Sequence, residues 1–364
     1  MRGGRALMWA GLGTLGAAVL AAGTLCLSAG CSSVGYLAQS AAGHLGLLAS
    51  AQPVDDWLAR PDTPEPVKAQ LRLSQRIRDY AVHELALPDN HSYRRYADIH
   101  RAAPVWNVVA APALSLQLKT WCFPVVGCVS YRGYFDQAAA EGHAATLQAE
   151  GWETSVYAVP AYSTLGFSDW LGGDPLLSSF IQWPEGELAR LIFHELSHQV
   201  AYAEGDTVFN ESYATAVERL GGARWLASQA SEAARQQYRT LDERRRALRT
   251  LTQATRERLD AIYRGPGSDA DKRAGKAEAM ATLQRDYARL KAEQWGGFAG
   301  YDAYVARLNN AALGVQAAYL AWVPAFEALF EREGRDFPRF HAAVRRLAAL
   351  PRAEREARLR ELAS

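Results

Sequence analysis

An α+β fold, mostly helical, is predicted by three features of the sequence. Apolar residues recur at helical spacing over long stretches, most clearly at Leu188, Leu191, Ile192, Leu196 and Val200. Two middle segments break that rhythm. "PVWNVVAAPALSL" (104–116) and "GWETSVYAVPAYS" (151–163) are rich in β-branched and aromatic residues and read as strands of a small sheet. Beyond residue 223 the chain turns helical again and heavily charged. With 364 residues, 49% of them hydrophobic, it can build a substantial core and more than one subdomain. The net charge of +1, without a dominant basic stripe, gives no nucleic-acid partner.

Taken in order, the chain opens with Arg2 and Arg5 and a long apolar run free of acidic residues, which reads as an export signal over 1–30. Ser28-Ala29-Gly30-Cys31 then resembles a bacterial lipobox, in which Cys31 would be lipidated and become the new N-terminus. Ser28 stands where that motif usually has Leu. The alternative is an uncleaved anchor, since the apolar run is nearly long enough to span a bilayer. The expected location is the periplasmic side of a bacterial membrane, held on the outer membrane by the lipid on Cys31.

Residues 31–60 read as an anchor-proximal segment with a short helix, and 64–87 as an amphipathic helix between Pro66 and Pro88. "CVSYRGYFD" (128–136) carries a strand end or loop into a helix at 136–150. "YSTLGFSDWLGGDPLLSSF" (162–180) reads as loop and edge segment. Residues 226–264 and 270–296 form two long helices joined at "RGPGSDADK", a hairpin whose charges are solvated faces and which projects or covers a cleft. Residues 301–364 make two or three further helices, packed back by aromatics such as Tyr301, Trp322, Phe326 and Phe330. The expected organisation is a core over 61–225, the hairpin over 226–300 and a C-terminal helical region over 301–364.

Of four cysteines, Cys26 lies in the signal and Cys31 is the lipidation candidate. Cys122 and Cys128 remain. An exported chain meets an oxidising compartment, so the two are expected to close a small disulfide loop that Pro124 and Gly127 help to turn. Two buried thiols are the other reading.

Pro184-Glu185-Gly186-Glu187 opens a helix with proline in the first turn and acids at the positive end of its dipole. His194 and His198, four apart, project from one side of it, and both rings can reach one ion at about 2.0–2.1 Å. Glu195, turned by about 100°, is placed for a water beside that ion rather than for the ion itself. A helix ending near Ala203, a turn at Glu204-Gly205-Asp206 and an antiparallel helix from Thr207 fix relative heights. His198 and His194 then lie roughly 7.5 and 13.5 Å back from the turn, Glu211 roughly 7.5 Å along, and Glu218 about 18 Å along, beyond both. Glu211 is the better third ligand on that basis, and Glu204 and Asp206 are expected to face solvent.

"HELSH" followed by "NESYA" resembles the glutamate zincins, such as thermolysin-like peptidases. More broadly, the chain resembles the bacterial "putative aminopeptidase" family of exported, lipoprotein-type HExxH proteins. "CSSVGYLAQSAAGHL", "CVSYRGYFD", "VPAYSTLGFSDWLGGDPLLSS", "LARLIFHELSHQVAY" and "DTVFNESYATAVE" carry the resemblance. It implies a zincin-like catalytic core, Zn²⁺ bound by His194, His198 and Glu211, Glu195 as the catalytic base, and a peptide substrate lying along an edge strand within 154–167. Two departures stand out. The His198–Glu211 interval is shorter than in thermolysin-like enzymes, so the active-site hairpin should be tighter. There is also no glycine-methionine-glutamate-asparagine segment of the kind that binds the free amine in other zinc aminopeptidases, which leaves Glu218 or Asp169 for that role.

In such a site zinc lowers the pKa of its water towards about 7 and polarises the carbonyl, while Glu195 moves the proton to the leaving amine. The oxyanion needs a further donor. Tyr131, Tyr134, Tyr162 and Tyr202 are candidates, with Tyr162 in the pre-helix loop preferred. His44, His83, His91, His100, His143 and His341 read as surface or structural. Two other functions compete: a non-catalytic envelope lipoprotein that binds a partner, and a cell-wall peptide amidase or endopeptidase.

Overall fold

The computed structural model describes residues 31–123, 127–161, 169 and 172–363. Two compact units divide the chain, one ending at Ala49 and one beginning at Ser50. The described part of the first, up to Ala49, lies in helix α1 (Cys31–Ser50), a 20-residue helix without acidic residues in its first turn or basic ones in its last. The expected signal over 1–30 lies outside the described residues. Among those described, no helix is long and apolar enough to cross a membrane.

The second unit is an α+β body, mostly helical. After β1 (Gln52–Pro53) and α2 (Val54–Ala59), Pro64 and Pro66 start α3 (Glu65–His83), which buries Leu71, Ile77 and Ala81 along one stripe. β2 (Arg95–Ala97) lies between β1 and the two-residue β8 (Leu176–Leu177), antiparallel to the first and parallel to the second. The main sheet is β6 (Arg132–Tyr134), β3 (Val105–Pro112) and β7 (Trp152–Val159), all antiparallel, with β3 in the middle.

A central strand covered on both faces should read as a continuous apolar run, and β3 is buried at seven of its eight residues. Helix α4 (Gln137–Ala149), N-capped by Asp136 onto Ala139 N, covers one face through Ala140, Ala144 and Leu147. On the other face Val109 and Ala111 pack against Ala311 of α10 (Asn310–Leu320). β4 (Trp121–Phe123) and β5 (Gly127–Val129) pair as a hairpin in which Cys122 faces Cys128, and the two are bonded at S–S 1.96 Å.

Helices α5 (Glu185–Ser197) and α6 (Thr207–Ser228) carry the "HELSH" and "NESYA" segments. α6 is buried around most of its circumference, from Phe209 through Val217, which marks it as a core helix. The charged helices are α7 (Glu232–Arg264) and α8 (Asp269–Glu293), joined at a capping box formed by Ser268 and Asp271. Residues 226–228 belong to α6, because Ser231 caps a fresh start by accepting from Ala234 N. Nor are the hairpin's faces all solvated. Leu248, Leu259, Leu283 and Tyr287 form a buried seam with Trp295 and Leu313.

Past the short α9 (Asp302–Val305), the C-terminal region holds α10, α11 (Val323–Arg332), α12 (Phe337–Ala348) and α13 (Arg352–Ala363), more helices than expected. Pro324, Pro338 and Pro351 explain the difference. Each sits at the start of a helix, where a missing N–H costs nothing, and each forbids continuation of the helix before it.

Candidate metal centre

Pro184 precedes α5 and Glu185 and Glu187 occupy its first turn. The helix ends at Ser197, earlier than expected, and His198 is its cap residue with φ −60° and ψ −22°. Side chains of α6 organise the turn that follows. Asn210 accepts from Ala203 N at 2.8 Å and donates to Ala203 O at 2.9 Å. Asp206 caps α6 by accepting from Phe209 N at 3.1 Å. Asp206 does not face solvent as expected. It is buried against Arg355 of α13, with Nη2 at 2.9 Å, while Glu204 is exposed.

His194, His198 and Glu211 each offer a ligand atom, and these atoms lie within 4.8 Å of one another. Glu211 Oε2 is 3.3 Å from His194 Nε2 and 3.8 Å from His198 Nε2. Both histidines are buried. Two imidazole nitrogens and one carboxylate oxygen, the only such group among the described residues, form a donor set that could hold a metal ion.

The histidines are held differently. His194 Nδ1 contacts Glu218 Oε2 at 3.0 Å, which aims Nε2 at Glu211. His198 Nδ1 has no hydrogen-bond partner among the described residues. Burial would depress the His194 imidazole, yet carboxylates at both nitrogens outweigh it and hold it well above its ordinary value. His198, facing the same burial with less compensation, is pushed down to about 4 and is a neutral donor.

Glu218 is the residue that sequence reasoning misplaced. Its height beyond His194 is only about 4.5 Å, a gap that two side chains span. It also pairs with Arg190, which is buried beside it. Burial would raise the Glu218 carboxyl, but Arg190 and His194 bring it to about 2. Gly222 makes room for this arrangement, since a Cβ there would stand 2.7 Å from Arg190 Cγ. The signal was present in the spacing. Arg190 lies four residues before His194 and Glu218 seven after Glu211, each on its partner's helical face. Glu218 is therefore committed to Arg190 and His194 and not open to a substrate ammonium. Asp169 accepts from His91 N at 2.8 Å.

Glu195 is pushed up to about 7, mainly by burial. The His194 charge lowers it, and Glu211, Asp174 and Glu218 raise it. A carboxylate poised there can take and return a proton near neutral pH.

The tyrosines separate by place. Tyr162 lies outside the described residues. Tyr134 rests on the His143 ring at 5.7 Å, on the α4 side of the sheet, and Tyr131 is exposed. Tyr202 is exposed after α5. Burial and then the Glu211 and Glu204 charges raise its phenol. Two tyrosines not considered from sequence also feel the site. Tyr93 is fully buried, and burial followed by the Glu195 charge raises it well above its ordinary value. Tyr157 is pushed up to about 12 by burial. Asn107 lowers it and Glu211 raises it. His341 is structural, with Tyr213 Oη at 2.8 Å from Nδ1 and Leu85 O at 2.8 Å from Nε2. His100 pairs at the surface with Asp98.

A family described as "Putative aminopeptidase" matches the chain over residues 35–359. No curated protein and no solved structure matches it.

Proposed function

The chain belongs to the "Putative aminopeptidase" family, and from that premise we propose that it is a zinc-dependent metallopeptidase of the glutamate-zincin type, acting as an aminopeptidase. One observation carries the reading: His194, His198 and Glu211 converge with Glu195 beside them. A two-imidazole, one-carboxylate set suits zinc, and zinc there polarises a carbonyl and acidifies a water.

The chain's own residues do the rest. Glu195 accepts a proton from the attacking water at its carboxylate and holds it while the water oxygen bonds to the carbonyl carbon. It delivers that proton to the amide nitrogen as the C–N bond breaks, so one water is consumed and an amine and a carboxylic acid leave. Glu218 fixes the His194 ring through Nδ1, and Arg190 keeps Glu218 ionised for that purpose. β7, at the edge of its sheet, is the strand along which an extended peptide would lie. Lipidation at Cys31 and a periplasmic location complete the proposal. The Cys122–Cys128 bond supports it, because such bonds persist in oxidising compartments.

The test is Glu195→Gln. It should retain stoichiometric zinc and lose hydrolysis of peptides with a free N-terminus, read by mass spectrometry against N-terminally blocked controls. Undiminished cleavage by this variant would refute the mechanism, and equal cleavage of blocked peptides by the wild type would refute the aminopeptidase assignment.

A further inference from the structure

Arg78 of α3 is fully buried, yet among the described residues no carboxylate is bonded to it. Its acceptors all belong to one loop, 88–94. Nε donates to Ser92 O at 2.9 Å, and Nη2 donates to Pro88 O at 2.6 Å, Asn90 O at 3.2 Å and Asn90 Oδ1 at 3.3 Å. Burying a guanidinium without a counter-charge is costly, so Arg78 is explained by the loop it shapes. That loop is strained. Tyr93 has φ +64°, a region that favours glycine. Tyr93 N donates to Asp174 O at 2.7 Å and Gln75 Nε2 to Tyr93 O at 3.0 Å, which holds the residue there. Gly173 permits the close approach, since a Cβ on it would stand 2.4 Å from Ser92 N.

A guanidinium only donates, so the Asn90 side-chain atom it meets is the acceptor Oδ1, which also accepts from Ser92 N at 3.1 Å. Asn90 Nδ2 is left for Gln199, and donates to its Oε1 at 2.6 Å. The other end of that amide, Gln199 Nε2, donates to the buried Ser92 Oγ at 3.1 Å. One loop therefore holds both ends of the Gln199 side chain. Gln199 directly follows His198, beyond the end of α5. The two histidines differ here. His194 lies within the helix, and Glu218 fixes its ring through Nδ1. His198 is the cap residue, and its Nδ1 has no partner among the described residues. From 199 to 202, only the Gln199 side chain hydrogen-bonds to another segment among the described residues.

We infer that loop 88–94 is the device that positions His198: Asn90 and Ser92, shaped by Arg78, hold the Gln199 amide and so fix the backbone from which the neighbouring imidazole reaches the metal. Gln199, Asn90, Ser92 and Arg78 are positioning residues that act through His198. The inference rests on the metal-site reading above. It gives the two histidines different supports. His194 is held through its ring and His198 through its chain. A ligand aimed beforehand loses less freedom when the ion binds, so the loop acts first on metal affinity.

The experiment titrates the metal-free full chain with Zn²⁺ against a chromophoric chelator, and with Co²⁺ by visible absorption. Gln199→Met keeps the length of the side chain and removes both hydrogen bonds. Its zinc affinity should fall about 10-fold and its Co²⁺ spectrum should change in shape or intensity. The Tm of its metal-free form should stay within about 3 °C of wild type. Ser92→Ala, which removes one of the two bonds, should fall between wild type and Gln199→Met. Asn90→Ala should weaken zinc binding too, but add nothing in the Gln199→Met background, a coupling that two independent structural losses would not produce. Glu204→Ala, an exposed change in the same turn, should leave zinc affinity unchanged. Gln199→Met with zinc affinity within about twofold of wild type and an unaltered Co²⁺ spectrum overturns the inference. So does an additive loss in the double variant, since the hold would then not run through the loop. If the wild-type chain binds no zinc, the metal reading fails and takes this inference with it. If the wild type binds zinc and Gln199→Met binds it equally well, this inference alone fails.

Discussion

Two helix pairs in this molecule are rich in arginine and acid, and they use charge in opposite ways. In the α7–α8 hairpin, pairs such as Arg289–Asp286 and Arg264–Asp260 lie one turn apart on a single helix, with arginine side chains largely in water. Such pairs contribute about 0–1 kcal/mol each and are screened by salt. The hairpin is held more by its apolar seam, by Arg245 of α7, which donates to Glu187 of α5 at 2.5 Å, and by Lys276 of α8, which reaches Ala113 O at 3.0 Å and Glu153 of β7. In the α5–α6 pair the charges cross between helices and are buried. Arg190 meets Glu218, Glu218 meets His194, and His194 and His198 meet Glu211, a reversed order that fixes the two helices as antiparallel. Burying charge is costly, so these residues are explained by what they position rather than by what they stabilise.

The largest test of that contrast is Arg190→Ala. It leaves the Glu218 carboxylate in a buried position without its guanidinium, which should cost about 3–5 kcal/mol of folding stability. Urea denaturation of the variant measures this. A loss as small as that of a surface arginine would show that the α5–α6 charges are no more coupled than those of the hairpin.

The contrast also shows what the sequence could express. Local geometry was readable: Pro184 starts α5, the four-residue spacing puts His194 and His198 on one face, and the height of Glu211 places it beside them. The stop at Ser197 was not, because Asn210 and Asp206 on the next helix set the turn. Asp206 read as a solvent-facing turn residue because its partner, Arg355, lies 149 residues away, and no local pattern carries that contact. Asn107 was legible in principle as a polar residue in a buried strand. Its partner, Tyr157, follows only from the strand register. The hairpin's charges were easy to see and its buried seam was not, since a 33-residue helix rich in arginine hides the sparse row of Leu248, Thr252, Thr255 and Leu259.

A second, smaller effect probes the buried side of the comparison through pH. His341 sits against Tyr213 of α6, and its folded pKa is pushed down to about 4 by burial. An unfolded histidine titrates near 6.5. Above that pH both states are neutral and the group favours neither. As the pH falls below it, the unfolded chain takes up a proton that the folded chain refuses, so stability declines until the folded pKa is reached. The loss should be about 2 kcal/mol by about pH 5. His341→Gln should flatten this limb of the urea-derived stability profile. An unchanged acid limb in the variant would assign the decline to other groups.

The smallest effect belongs to the hairpin. Arg289 of α8 has a side chain 64% exposed and pairs with Asp286 three residues earlier, at 2.8 Å. Arg289→Ala removes that pair, but alanine is the better helix former, and the arginine head returns no desolvation cost because it never left water. The two terms nearly cancel, so the change in stability should stay within about 0.5 kcal/mol and shrink further in high salt. Urea melts of the variant at low and high ionic strength decide the matter. A loss above about 1 kcal/mol that salt does not reduce would mean that the hairpin's charges are coupled to the body as tightly as those at the metal centre. The division between solvated and positioning charge would then fail at its clearest point.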